Sequence, residues 1–86
     1  MKQYRIYTEA RQLDRVRDET NAHFSNFTIY RVEGRYKSIP ENSLVIEIIA
    51  EERAYPFVKA LAESIKFFNN QDSVLITSHA ITTESV

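Results

Sequence analysis

The two histidines are the first candidates for chemistry, since an imidazole can transfer protons near neutral pH or bind a metal ion. His23 falls at the end of a predicted helix, where the helix dipole stabilises a cation, and this capping role is its simpler interpretation. His79 falls in a predicted strand within reach of Glu47, which leaves a general acid–base or metal role open for it. Two histidines so far apart form no metal-ligand motif, so no metal and no cofactor is predicted.

A second group of candidates surrounds a predicted hairpin. Tyr36, Glu41 and Ser43 could form a binding loop at a subunit boundary, and Arg31 on the same hairpin could meet an anionic ligand. Turn formation also accounts for Glu41 and Ser43. Basic side chains on a strand edge also serve to prevent unwanted strand pairing. Both interpretations stay open on the sequence alone.

The composition excludes several classes of protein. Eleven Lys and Arg against twelve Asp and Glu give a formal net charge of -1. The chain therefore lacks the excess of basic residues that is typical of nucleic-acid-binding proteins, and no nucleic-acid partner is predicted. The chain contains no cysteine, which excludes disulfides, thiolate catalysis and cysteine-ligated zinc. It shows neither an apolar signal region nor an apolar run long enough to cross a bilayer, so a cytoplasmic protein without membrane contact is predicted.

Hydrophobic periodicity predicts the elements that must position these side chains. Alternation over Gln3–Glu9 predicts a first strand, and a thin apolar stripe at helical spacing predicts a surface helix over about Glu9–His23. Alternation returns over Phe27–Lys37, where the only glycine, Gly34, indicates a bulge or a close backbone approach. A turn is predicted over Ser38–Ser43, where Pro and Asn are typical turn residues.

The second half of the chain repeats this pattern. Leu44–Ala50 is the most apolar run and predicts a central strand, antiparallel to the one before it. A stronger helical stripe over Ala54–Phe68, which includes Phe57, predicts a better-buried helix that opens at Glu51 and Glu52 and has Pro56 in its first turn. Alternation over Ser73–Ile81 predicts the last strand.

The resulting order of elements defines the fold class. Two right-handed crossovers on one antiparallel sheet give a ferredoxin-like α+β fold of βαββαβ order, with four strands and both helices on one face. We predict that residues 1–86 form one such domain. The side chains predicted to face the helices are Tyr4, Ile6, Leu44, Ile46, Ile48, Val74 and Ile76.

The opposite face of the sheet is predicted to be too apolar to remain in water. Strand alternation places large apolar side chains on it, and these interface candidates are Tyr7, Val45, Ile49, Leu75 and Ile81. Cover by the C-terminal tail or by the hairpin is one interpretation, and burial against a second copy of the sheet is the favoured one. In that case Glu47 and either Arg5 or His79 form a partly buried polar cluster at the interface.

Three segments of the chain resemble the α/β sheet proteins grouped with CutA and the PII signalling proteins. They are Ile29–Gly34, Glu41–Glu47 and Phe67–Thr77, the last of which is similar to a helix-end signature F-x-x-Q-[DE]-x-V-L. The resemblance implies the same fold and a homo-oligomer, a trimer ahead of a dimer, with ligand sites between subunits like the nucleotide sites of PII-like relatives. The chain lacks the Gly-rich or basic phosphate loop of PII proteins, and it lacks the cysteine expected for copper binding of the CutA type.

Three functional hypotheses follow. The leading one is a non-enzymatic binding or regulatory module that takes a nucleotide or another small anionic metabolite between subunits. The residues expected near that ligand are Arg31, Tyr36, Glu41, Ser43, Glu47 and His79. The rival is a small nuclease or hydrolase using Tyr7, Glu9 or His79, since ferredoxin-like ribonucleases of the VapD kind carry an acid near the end of the first strand. A purely structural interaction protein is the third.

Overall fold

The chain folds into four strands and two helices in the βαββαβ order that its periodicity predicts. The computed structural model describes all 86 residues. The elements are β1 (Lys2–Glu9), α1 (Leu13–His23), β2 (Thr28–Tyr36), β3 (Ile39–Ala50), α2 (Tyr55–Phe68) and β4 (Leu75–Ala80). A short 3₁₀ turn, Glu52–Ala54, leads into α2.

The strands form one antiparallel sheet in the order β2-β3-β1-β4. The two long crossovers, through α1 and α2, place both helices on the same side of this sheet, where they also contact each other. This is the ferredoxin-like α+β fold predicted from the order of elements. Neither helix is long and apolar enough to cross a membrane.

The core lies between the helices and one face of the sheet. Its buried strand side chains are Tyr4, Ile6, Leu44, Ile46 and Ile48, and its buried helix side chains are Val16, Val58, Leu61, Ala62 and Ile65. Val74 and Ile76 pack against this cluster while half-buried. The predicted helix-facing set is therefore confirmed. Each fully buried Val, Leu or Ile side chain stabilises the fold by about 1.5–3 kcal/mol relative to an exposed one.

The first helix begins later than its apolar stripe predicted. Glu9 remains in the ladder opposite Ser43, and the amide of Ala10 still donates to the carbonyl of Asn42 over 3.0 Å. Gln12 then takes a left-handed conformation with a φ of 51° directly before α1. The predicted start at Glu9 was wrong because the strand pairing continues past it.

The hairpin between β2 and β3 turns within two residues rather than over Ser38–Ser43. Lys37 and Ser38 have φ angles of 51° and 66°, and positive φ at both central residues gives the tight turn that matches strand twist. β3 therefore begins at Ile39. Pro40 fits because it lies beyond the end of β1, where β3 has a neighbour on one side only.

Two further predictions concern single residues, and the bulge interpretation of Gly34 and the core position of Phe57 were wrong. Gly34 forms no bulge, since the pairing of β2 with β3 runs without interruption from Thr28 opposite Glu47 to Tyr36 opposite Ile39. Phe57 is 60% exposed and takes no part in the core, because it lies to one side of the buried stripe of α2.

The position of the core leads to a stability prediction. Ile46→Ala should reduce the free energy of unfolding by about 2–5 kcal/mol, because Ile46 is 0% exposed and its removal leaves a cavity. Ile39→Ala is the matched control on the same strand, since Ile39 is 68% exposed, and it should change stability by less than about 1 kcal/mol. Urea denaturation measures both, and equal losses would contradict this position of the core.

Candidate functional site

The sheet face turned away from the helices, here called the open face, carries its side chains in rows that cross the strands. The middle row, here called the apolar band, consists of Tyr30, Val45, Tyr7 and Leu75, which lie opposite one another on β2, β3, β1 and β4. A band of this composition is unusual on a sheet face in contact with water. It contains three of the five predicted interface residues.

The chain does not cover its own open face. Leu75 is 60% exposed and Tyr30 is 44% exposed, while residues 82–86 form no strand over them. The interpretation that the C-terminal tail or the hairpin covers this face is therefore wrong. Val45 differs from its neighbours because it is only 7% exposed, so the side chains beside it already shield it. Ile49 and Ile81, the other two predicted interface residues, lie toward the opposite end of the same face.

An ionic cluster lies in the row next to the apolar band. Arg5 donates to Glu47 Oε1 from Nε over 3.1 Å, and its second guanidinium nitrogen lies 3.1 Å from the same oxygen. The hydroxyl of Tyr30 donates to Glu47 Oε2 over 3.1 Å. Both carboxylate oxygens are therefore paired. Of the two partners predicted for Glu47, Arg5 makes the contact, whereas His79 lies one row farther on, opposite Gln3.

The cluster changes the titration of its donors. The hydrogen bond to the Glu47 carboxylate raises the pKa of Arg5. The same acceptor, with a smaller effect of its negative charge, raises the pKa of Tyr30 above the ordinary value of 10.0. The Glu47 side chain is only 13% exposed, so these two donors provide most of its polar environment.

A cleft of about 470 Å³ opens at the other side of the apolar band. The end of β1, the β2–β3 hairpin and the segment between α2 and β4 line it. Its lining residues are Tyr7, Thr8, Glu9, Val32, Glu33, Gly34, Arg35, Tyr36, Glu41, Ser43, Gln71, Asp72, Ser73 and Leu75. Tyr7 and Leu75 belong to both the cleft and the apolar band, so the two features share a border.

Carboxylates dominate the charge of the cleft. Glu33 and Arg35 alternate with the residues of β2 that point to the open face, so they lie on the helix-facing side of this edge strand. Their charges are opposite. The remaining charged residues of the lining are Glu9, Glu41 and Asp72, all acidic. Arg11 forms an ion pair with Glu9, although Oε2 of Glu9 is buried without a hydrogen bond of good geometry. The cleft of the single chain therefore favours a neutral or positively charged ligand.

A network of side-chain amides holds one wall of the cleft in place. Asn69 is 3% exposed, accepts a hydrogen bond from Gln12 Nε2 over 3.0 Å and donates to the carbonyl of Arg11 over 3.4 Å. The guanidinium of Arg11 donates in return to the carbonyl of Asn69 over 3.0 Å. Thr8 donates to the side chain of Gln71 from the end of β1. These bonds tie the β1–α1 connection to the segment before β4, and so fix the positions of Glu9 and Gln71.

The six predicted ligand residues do not form one site. Tyr36, Glu41 and Ser43 line the cleft together. Arg31 pairs with Leu44 and so lies on the helix-facing side of β2, beside a smaller depression of about 450 Å³ that shares Val32, Glu33 and Ser43 with the cleft.

The other two lie farther along the open face. Glu47 is six residues beyond Glu41 on β3, a separation of about 20 Å along the strand. His79 lies beyond Glu47 by one row.

Several lining residues were not assigned to the ligand site from the sequence. Gly34, Val32 and the segment 71–73 carry no chemical signature of their own. Strand alternation would have placed Val32 and Gly34 on the same face as Tyr36, since they lie at intervals of two in β2. No group of three or more His, Asp or Glu residues lies close enough to hold a metal ion.

The ionic cluster leads to a prediction about tyrosine titration. Glu47→Gln should lower the pKa of Tyr30 toward 10.0, because a neutral amide stabilises the protonated phenol less than a carboxylate does. The near-ultraviolet absorbance of tyrosinate, compared with that of a Tyr30→Phe variant, isolates this titration. Glu84→Gln in the tail is the control and should leave it unchanged.

The sign of the associated stability follows from the direction of the shift. A raised pKa in the folded state means that the hydrogen bond stabilises the fold below about pH 10 and is lost as the pH rises through the raised value. An identical Tyr30 titration in the parent and in Glu47→Gln would contradict the hydrogen bond.

Comparison with known proteins gives relatives in structure alone. The sequence matches no family model and no curated protein. Among solved structures, the fold is similar to CPII, a nitrogen regulatory PII-like protein from Thiomonas intermedia K12, bound to ADP, AMP and bicarbonate. The TM-score is 0.67 at 18% identity, over 99% of this chain and 94% of that chain.

A second similar structure is a phage SAM lyase in its apo state. The TM-score is 0.70 at 19% identity, over 99% of this chain and 91% of that chain. At these identities the likeness concerns the fold, and it agrees with the PII-like arrangement that the sequence resemblance implied.

Proposed function

We propose that the protein is a homo-oligomeric module that binds a small adenosine-containing ligand in the cleft, next to the boundary between subunits. The observation that carries this proposal is the shared border of the cleft and the apolar band. Tyr7 and Leu75 belong to both, so a second copy that covers the band also closes one side of the cleft. Closure of this kind excludes water and strengthens polar contacts to a ligand.

Self-association is the first part of the proposal. Exposed aromatic and aliphatic side chains on one sheet face are typical of an interface, and we propose that the open faces of neighbouring copies pack together around a common symmetry axis. Each subunit brings its own internally paired Arg5 and Glu47, so burial of the cluster leaves neither charge without a partner. A trimer is the expected assembly, with a dimer as the alternative.

The class of ligand is the second part. The structure of CPII contains ADP and AMP, and the lyase is named for SAM, S-adenosylmethionine, so both similar proteins are associated with adenosine compounds. The charge of the cleft distinguishes between these compounds. Two charges on exposed groups interact by about 1 kcal/mol, which corresponds to an affinity difference of about fivefold for each charge of the ligand. We therefore favour the positively charged sulfonium compound over a nucleotide with phosphates, and over the anionic ligand expected from the sequence.

A catalytic role is the second candidate function. Tyr7 and Glu9, which the sequence singled out for a hydrolase, both line the cleft, whereas His79 lies away from it. A carboxylate and a phenol beside a bound sulfonium compound could act as general base and hydrogen-bond donor. The binding module and the enzyme require the same ligand site, and they differ only in whether the bound ligand is chemically converted.

Leu75→Asp tests self-association. We expect the parent protein to be an oligomer by light scattering at tens of micromolar and the variant to be a monomer, because a carboxylate on the apolar band must be desolvated in the interface. Leu75 is 60% exposed in the single chain, so the variant should still fold. Phe67→Asp is the control, since Phe67 is 87% exposed on α2, away from the open face. A monomeric parent would contradict the proposal.

Titration calorimetry with S-adenosylmethionine, adenosine, AMP and ADP tests the ligand. We expect S-adenosylmethionine to bind most tightly and Glu41→Gln to weaken it by about fivefold, because the variant loses one carboxylate of the cleft. Glu84→Gln in the tail is the control and should bind normally. Tighter binding of ADP would contradict the charge argument, and no binding of any of these compounds would contradict the proposed ligand class.

The same samples distinguish a binding module from an enzyme. Chromatography of S-adenosylmethionine after incubation with the parent protein measures turnover. Conversion that is lost in Glu9→Gln, with binding retained, would favour the catalytic candidate. Unchanged S-adenosylmethionine would favour the binding module.

A further inference from the structure

Gly34 is the only glycine of the chain, and the backbone around it does not require a glycine. It has no positive φ, and the pairing of β2 with β3 continues on both sides of it, from Val32 opposite Ser43 to Tyr36 opposite Ile39. A glycine in the interior of a strand costs about 0.5–1 kcal/mol relative to alanine. Its presence at this position therefore needs another explanation.

Packing within the chain does not require a glycine either. A Cβ atom at Gly34 would lie 3.6 Å from Ser43 Oγ and 3.9 Å from the carbonyl oxygen of Glu41, both ordinary van der Waals distances. A side chain would therefore fit the fold without displacing its neighbours. It would instead occupy the cleft, because Gly34 lies in the cleft lining between Val32 and Tyr36 on the open face.

We infer that Gly34 is the floor of a subsite for a planar heteroaromatic ring, and that its missing side chain determines which ligands the cleft accepts. A strand without a Cβ presents a flat stretch of backbone that a ring can approach closely. Val32 and Tyr36 flank this stretch, and Tyr7 adds a second aromatic side chain to the lining. Aromatic and aliphatic borders around a flat floor suit a purine ring better than a flexible chain.

This inference rests on the proposed function, because it assigns the adenine end of the proposed ligand to one position in the cleft. It also orients the ligand. Glu41 lies directly opposite Gly34, and Glu9 lies opposite Ser43, so all of these residues are on the open face. With the ring over Gly34, the charged part of the ligand extends toward Glu41 and Glu9.

A size series at Gly34 tests the inference. Gly34→Ala should weaken the binding of S-adenosylmethionine and of adenosine by about tenfold, and Gly34→Val by about a hundredfold or more, because each added carbon takes the space of the ring. The melting temperature of the unliganded variants should stay equal or rise, since alanine and valine suit a strand better than glycine. Thr28→Val is the matched control on the same strand and the same face, outside the cleft, and should bind normally.

The outcomes separate this inference from the proposed function. If the parent binds neither compound, the proposed function itself is wrong. If the parent binds both and Gly34→Val binds them equally well, the cleft holds the ligand elsewhere and the role of Gly34 is overturned. A fall in the melting temperature of both Gly34→Ala and Gly34→Val would overturn it as well, because the strand itself would then require the glycine.

Discussion

The structure depends on a single constraint, which is that two helices can cover only one face of a four-stranded sheet. The apolar helix-facing side chains of β1 and β3 are buried almost completely, and this burial supplies most of the stability that an 86-residue chain can gain. The other face must then either be polar or find a partner. Here it carries the apolar band beside a charged cluster, so the arrangement that stabilises the monomer also leaves a surface suited to assembly.

Polar groups on both sides of the apolar band are paired within the chain, and this pairing determines which side chains remain available to a ligand. Glu47 has both oxygens bonded, to Arg5 and Tyr30, which makes it a structural element of the face rather than a free ligand group. Asn69 and its partners hold the far wall of the cleft in the same manner. The charged residues of the cleft lining that form no ion pair within the chain are Glu33, Arg35, Glu41 and Asp72, and these groups are left available.

Much of this arrangement could be predicted from the sequence because it follows from periodicity. Alternation identified the strands and placed Ile6 and Ile46 in the core and Tyr7 and Leu75 on the opposite face. The hairpin was not predictable in the same way, because Lys37 and Ser38 take positive φ without the Asn or Gly that usually indicates it. Pro40 therefore suggested a turn in the wrong place.

The cleft was predictable only in part, for a related reason. The cleft combines residues near positions 8, 34 and 72, and no local pattern reports that three such distant segments meet. Tyr36, Glu41 and Ser43 could be grouped from the sequence because they share one hairpin, and they line the cleft together. Arg5 could be predicted as a partner of Glu47 because it lies directly opposite on the neighbouring strand. The hydrogen bond from Tyr30 to Glu47 could not, because it depends on the register that the two-residue turn imposes.

The uninterrupted ladder of this hairpin also restricts how the cleft can change during evolution. Every residue from Thr28 to Tyr36 has a fixed partner on β3, so the loss or gain of one residue on one strand would exchange all side chains beyond it between the two sides. A length change that preserves these sides adds or removes one residue on each strand at the tip, next to Lys37 and Ser38. The β2–β3 hairpin that lines the cleft can therefore lengthen or shorten by one residue pair at a time, while Gly34 stays on the open face.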